Sequence, residues 1–208
     1  MAITSAVTLA AAGLLTWVLF AAFASPSGLR PAYGLPADPC ATLGDETLDG
    51  MDGELSSWYT SSYANGCTWT TSLAETEETS LYFSRHVPMG GADAERLEEI
   101  DDETVPRDAD GLYRRIVDET GELGYDSEET HVADTEEKDL GFGDESVVVV
   151  TDIDYGYSDS VSQRVNLIVR EGDLVSQFTF TLTSTDSGDI DADEAEALLA
   201  DVAADAFG

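Results

Sequence analysis

From Ser146 onward the apolar positions recur at strand spacing. Ser146 to Tyr155 carries four consecutive valines, Val147 to Val150, which suits a strand covered on both faces and places it centrally in a sheet. Val161 to Arg170 alternates, with Val161, Val165, Leu167 and Val169 on one side and Ser162, Arg164, Asn166 and Arg170 on the other. Leu174 to Thr183 alternates too and groups Leu174, Phe178, Phe180 and Leu182. With Glu171-Gly172 as a two-residue turn, Val169 faces Leu174, Val165 faces Phe178 and Val161 faces Leu182. The opposite face then sets Asn166 against Gln177 and Arg164 against Thr179, a solvated or ligand-facing surface. A slip of one residue would scramble both faces.

Helical spacing marks the chain elsewhere. Asp191 to Phe207 carries an apolar stripe of Ala195, Leu198, Leu199, Val202 and Ala206, with Asp191 as its cap and Glu194 in the reciprocal position. Ala92 to Ile100 (Leu97 and Ile100 inward) and Asp110 to Thr120 (Leu112, Tyr113, Ile116 and Val117 inward) are two further helices. Pro106 separates them and Gly121 stops the second. Cys40 to Met51 reads as a short helix with Leu43 and Leu48 inward, weakened by Gly44. Ser56 to Tyr63 is a loop or an irregular edge strand. Gly66 to Ser72 and Ser80 to Val87 carry the β-branched and aromatic residues of a hairpin, and the polar, acidic stretch leading to Gly143 is a surface excursion. The sum is an α+β fold: an antiparallel sheet of about five strands packed against helices, as a two-layer or an α/β/α sandwich.

The start of the chain follows another pattern. Ala6 to Ala24 has no charge, and as a helix it would measure roughly 28 Å, close to the hydrocarbon thickness of a bilayer. Residues 1–25 are therefore a transmembrane anchor or, because Ala22-Phe23-Ala24 fits a small-x-small cleavage pattern, a signal segment; the length of the run favours the anchor. Either way the remainder is exported. No Lys or Arg precedes the run, and Arg30 lies on the wrong side for the positive-inside rule, so orientation rests on the acidic domain and the two cysteines that follow. Residues 26–37 form a Pro-rich linker and 38–208 an extracytoplasmic α+β domain, placed at the cell membrane as a single-pass protein or, if the segment is cleaved, secreted.

Charge narrows the partners. Asp and Glu number 43 against 9 basic residues, a net charge of -34, which excludes nucleic acid because phosphate binding needs a basic surface. The acids are spread along the whole domain, the pattern of a solvent adaptation: at about 1 M salt the Debye length falls to roughly 3 Å and self-repulsion is screened. Exactly-paired usage is the simplest account of the two cysteines: in an oxidising compartment Cys40 and Cys67 join, the alternative being two buried free thiols in a cytosolic protein.

Pro39-Cys40 with a short helix, Gly66-Cys67-Thr68-Trp69 opening a strand, Leu140-Gly141-Phe142-Gly143-Asp144-Glu145 before the valine strand, Asn166 to Asp173 and an Ala-rich last helix together resemble actinobacterial cell-envelope proteins of unknown function. Many of those are lipoproteins with a Pro-Cys and a Cys-x-Trp joined by a disulfide. More distantly the chain is similar to the extracellular sensor domains of bacterial Ser/Thr kinases, which use a disulfide-stapled α/β sandwich. The resemblance covers roughly Asp38 to Phe207. It departs from the lipoproteins in having no cysteine near Ala24 or Ser25, and it implies no catalytic residues.

Candidate chemistry is sparse. His86 and His131 are the only histidines and neither has a second His at metal-ligand spacing. No nucleophile elbow or phosphate-cradling loop occurs. Asp189-x-Asp191-x-Asp193 begins like a calcium loop but has Glu194 and Ala200 where that loop needs Gly and Glu, and Asp152-x-Asp154 is weaker still. Catalytic residues, metal and cofactor are thus all expected to be none, and the protein is read as no enzyme. Trp58-Tyr59 with Tyr63, and Tyr155 with Tyr157, remain as aromatic contact candidates. The expected function is binding or sensing at the cell envelope, with an envelope protein or a small ligand as partner. The alternatives are an accessory subunit of a membrane complex and an uncharacterised hydrolase.

Overall fold

The structure, a computed structural model, describes residues 34–73, 78–101, 104–122, 130–156, 161–183 and 190–208, without the side chains of 101, 161 and 183. All belong to one compact unit, Pro31–Gly208. The Ala6 to Ala24 run, Tyr157 and Asp189 lie outside the described residues, and among those described no helix is long and apolar enough to cross a membrane.

A 3₁₀ turn, Cys40–Thr42, precedes α1 (Asp45–Gly50). Then come β1 (Glu54–Thr60), β2 (Ala64–Thr71), β3 (Thr79–His86), α2 (Gly91–Asp101), α3 (Ala109–Thr120), β4 (Thr130–Asp139), β5 (Glu145–Tyr155), β6 (Val161–Glu171), β7 (Leu174–Thr183) and α4 (Ala192–Phe207). The seven strands form one antiparallel sheet in the order β1-β2-β3-β7-β6-β5-β4.

Two strands exceed the sequence expectation. β1 resolves the loop-or-edge alternative as an edge strand with a bulge between Leu55 and Ser57, and β4 replaces the expected surface excursion. Both are edges. An edge strand is held by its ladder to one neighbour and can leave most side chains in water, so it shows no apolar alternation. β5 is covered on both faces, as its valines require, but it lies next to the edge strand β4; the middle strand is β7.

Alternation along β5 and β6 divides the core into two layers. Val148, Val150, Val165, Leu167 and Val169 join Trp69, Leu81, Phe83, Phe178 and Phe180 under α4, through Ala195, Leu199 and Val202. Val147, Val149, Ile168 and Val175 pack on the other face against Leu112, Tyr113, Ile116 and Val117 of α3. Of the two sandwich arrangements the structure has α/β/α. Asp191 caps α4 by accepting from the Glu194 amide while the Glu194 carboxylate accepts from the Asp191 amide.

The β6–β7 turn is shifted by one residue from the expected position. Gly172 has φ +59° and takes the first central position, the one that needs left-handed backbone, so Gly172-Asp173 is the loop and Glu171 pairs with Leu174. Val169 thus faces Ser176, Leu167 faces Phe178 and Val165 faces Phe180, while Asn166 faces Thr179 and Arg164 faces Thr181. Moving the turn by one residue moves each partner by two, so the apolar and polar faces survive.

The expected Cys40 to Met51 helix is broken at Leu43-Gly44, where Gly44 donates its amide to Asp205 of α4 instead of continuing the turn. Leu43 is nevertheless buried. Ile100, expected inward, is 71% exposed. The Cys40–Cys67 disulfide is present, with Cys67 in the layer under α4, and ties the 3₁₀ turn to β2. Leu35 is buried, and the Pro36 carbonyl accepts from Asn65 Nδ2.

Candidate functional site

On the α3 face the helix covers β5, β6 and part of β7, and beyond it the sheet is open. Cross-strand pairing sets Thr68, Tyr82, Thr179 and Asn166 side by side from β2 to β6, and Gly66, Ser84 and Gln177 in the next row. Threonine, serine and tyrosine suit a pleated surface that stays wet on one side. Tyr59 pairs with Gly66, and a Cβ at Gly66 would lie 2.7 Å from the Tyr59 ring and 2.2 Å from the Phe83 carbonyl oxygen. Glycine is required there because the ring and a neighbouring strand occupy the space.

Two cavities flank α3 and share Glu119. One, of about 300 Å³, is lined by Ile116, Glu119, Thr120, Arg164, Asn166, Gln177 and Thr179. The Asn166/Gln177 face read from the alternation is therefore the floor of a cavity walled by the last turn of α3. Asn166 is only 1% exposed. Its Oδ1 accepts from Thr179 Oγ1 at 2.7 Å and from Gln177 Nε2 at 3.0 Å, whereas its buried Nδ2 has no hydrogen-bond partner. An unpaired buried donor carries the desolvation cost of its lost water, about 1–3 kcal/mol.

The second cavity, of about 560 Å³, has Val87, Met89, Leu97, Val105 and Leu112 among its apolar walls, with His86, Tyr63, Arg115 and Glu119 as its polar groups. Tyr63 donates its hydroxyl to Asp93, and Arg115 is paired with Glu119. Burial pushes the His86 pKa below its ordinary value of 6.5, with the Glu119 charge acting weakly in the other direction. The unfolded chain therefore takes up the proton first. Stability from this group is full above pH 6.5 and falls as the pH drops through that value. Chemical denaturation of wild type and His86→Gln in molar salt, from about pH 7.5 to about pH 5.5, is expected to give a wild-type advantage that shrinks with acidification; a constant difference would refute the burial account.

Of the other residues singled out from the sequence, Trp58 and Tyr59 are exposed on β1, Tyr63 lines the larger cavity, and Tyr155 lies at the end of β5, away from these. His131 is on β4 opposite Asp154 and does not meet His86. Ser61 and Ser62 share the larger cavity with His86. The Ser61 hydroxyl is occupied by the Ala64 carbonyl and amide, however, and among the described residues no hydrogen bond links His86 to either serine. No group of three or more His, Cys, Asp or Glu side chains is placed to hold a metal among the described residues. Sequence reasoning missed Tyr82, which is exposed beside Thr179, and Glu119, which lines both cavities; only sheet order and helix placement bring them there.

The fold and the site define a disulfide-bridged α/β/α sandwich with a helix-walled groove on its open sheet face. No protein-family model, no curated protein and no solved structure matches the chain.

Proposed function

We propose that this chain is a membrane-anchored, extracytoplasmic binding or sensing domain of the cell envelope whose ligand seats in the groove along α3. The observation that carries the reading is the pair of cavities that share Glu119 in their walls, one mostly apolar and one floored by Arg164 and Asn166, since a pocket with a few convergent polar groups is the usual form of a small-molecule site. Export is supported by the Cys40–Cys67 bridge and the uncharged Ala6 to Ala24 run. The resemblance to cell-envelope proteins points the same way.

An accessory-subunit role is favoured by a different feature, the exposed Leu55 and Trp58 of edge strand β1, which share the face of their partners Trp69 and Cys67 and offer apolar surface of the kind a protein partner covers. A single cysteine at Ser62, in cells carrying the full chain, tests location. Labelling by a membrane-impermeant maleimide in intact cells is expected, and labelling only after lysis would reject the extracytoplasmic reading. Loss of co-purifying membrane protein on Trp58→Glu would shift the function to the accessory role.

A further inference from the structure

Basic side chains are scarce in this chain, and nearly all of those described are matched. Arg96, Arg107, Arg114, Arg115, Lys138 and Arg170 each have a carboxylate within 4 Å. Among the described residues, Arg85 and Arg164 do not. Arg85 donates to Ser176 and lies over the Phe83 ring, so its surroundings account for it. Arg164 lines the smaller cavity without a polar partner among the described residues, although acids outnumber bases 43 to 9.

Asn166 stands two residues along the same strand, on the same face, with its Nδ2 buried and unmatched. The two donor side chains start about 7 Å apart. A planar carboxylate answers both, because a guanidinium and an amide N–H are its usual partners. The opposite wall has the reverse sign. Glu119 and Thr120 belong to the last turn of α3, the end at which a helix presents unsatisfied carbonyls and favours a cation.

We infer that the smaller cavity receives the head group of a free α-amino acid, its carboxylate on Arg164 and Asn166 and its ammonium on Glu119. This rests on the groove being a binding site and names its ligand class. Arg115, on the side of the larger cavity, engages Glu119 through Oε1, so the ammonium is assigned to Oε2. A simple carboxylate would bring no cation to that oxygen, a simple amine would face Arg164, and a polyanion would meet a net charge of -34, whereas a zwitterion answers both walls. Glu119 also lines the larger cavity, so a side chain leaving the head group in that direction meets Met89, Leu97 and Leu112. Apolar amino acids are the preferred ligands.

Calorimetric titration of the full chain in detergent and molar KCl, with L-leucine, L-methionine and L-phenylalanine as probes, tests this. Binding of at least one probe is expected, weakened about tenfold or more in Arg164→Met and on conversion of that probe to its methyl ester or N-acetyl derivative. Arg164 has no polar partner to lose among the described residues, and the thermal melt of the variant verifies that it folds. No binding of any probe, or undiminished binding to Arg164→Met, overturns the assignment. Fluorine NMR of a fragment library against wild type and Thr179→Trp, which fills the cavity, separates the two levels. Fragments lost in the variant while amino acids fail to bind leave the groove as a site and reject the zwitterion; no fragment binding rejects both.

Discussion

Replacing both Cys40 and Cys67 with serine is expected to lower stability by about 3.5 kcal/mol, the chain-entropy value for a loop of this length, since the bridge spans 27 residues. For a domain of this size that corresponds to a fall in Tm of roughly 7–14 °C. The effect has a local part as well. The bridge fastens the 3₁₀ turn at Cys40–Thr42 to β2, next to the edge of the sheet. Without it the segment from Gly34 to Gly44 keeps, among the described residues, buried Leu35, Pro39 and Leu43, the Asn65–Pro36 hydrogen bond, and at its end the hydrogen bonds of Gly44 with Asp205 and Leu48. Hydrogen exchange should therefore accelerate most in that segment, and the melt should shift as a whole. A reduced protein with unchanged Tm and unchanged exchange there would show that packing alone holds the segment.

Molar NaCl should raise the Tm by roughly 10–20 °C over about 0.1 M, because screening removes several kcal/mol of self-repulsion. The structure shows where repulsion is concentrated. Asp134 of β4 is directly opposite Asp152 of β5, a like-charge pair of the kind that destabilises a sheet. These two line a small cavity with Glu136 and Asp191. Their partners are neutral donors: Gln163 Nε2 for Asp152, the Ala192 amide for Glu136 and the Glu194 amide for Asp191. Lys138, on the same strand, is held by Asp193 and Glu196 instead, and that pairing raises its pKa. Asp134→Asn should be more stable than wild type in dilute buffer and show a shallower dependence on salt. A Tm equal at the two salt concentrations would reject the adaptation reading, and a variant as salt-dependent as wild type would move the repulsion elsewhere.

The polar floor of the candidate site was legible in the alternation of β6 and β7 because side-chain period two assigns faces without knowledge of partners. Asn166, Gln177 and Arg164 were grouped correctly even though the turn lies one residue later than expected. Their neighbours were not legible. Glu119 sits on a helix some fifty positions away in the chain, and nothing in its local sequence states which strands α3 will cover. β4 escaped notice for a related reason. Thr130 to Asp139 is mostly exposed and carries four acids, and it is a strand because β5 offers an open ladder to pair with, which only the assembled sheet supplies.

By itself the sequence determined the α+β class, the two faces of β6 and β7, the helices α3 and α4 with the Asp191–Glu194 cap of the latter, and the pairing available to its two cysteines. These follow from period, capping chemistry and residue count, all of which act over a few neighbouring positions. Tertiary structure decided the sheet order, both edge strands, the break at Gly44, and the meeting of Glu119 with Arg164 and Asn166. Those depend on which distant surfaces bury one another, and long-range burial leaves no mark within a local window of the chain.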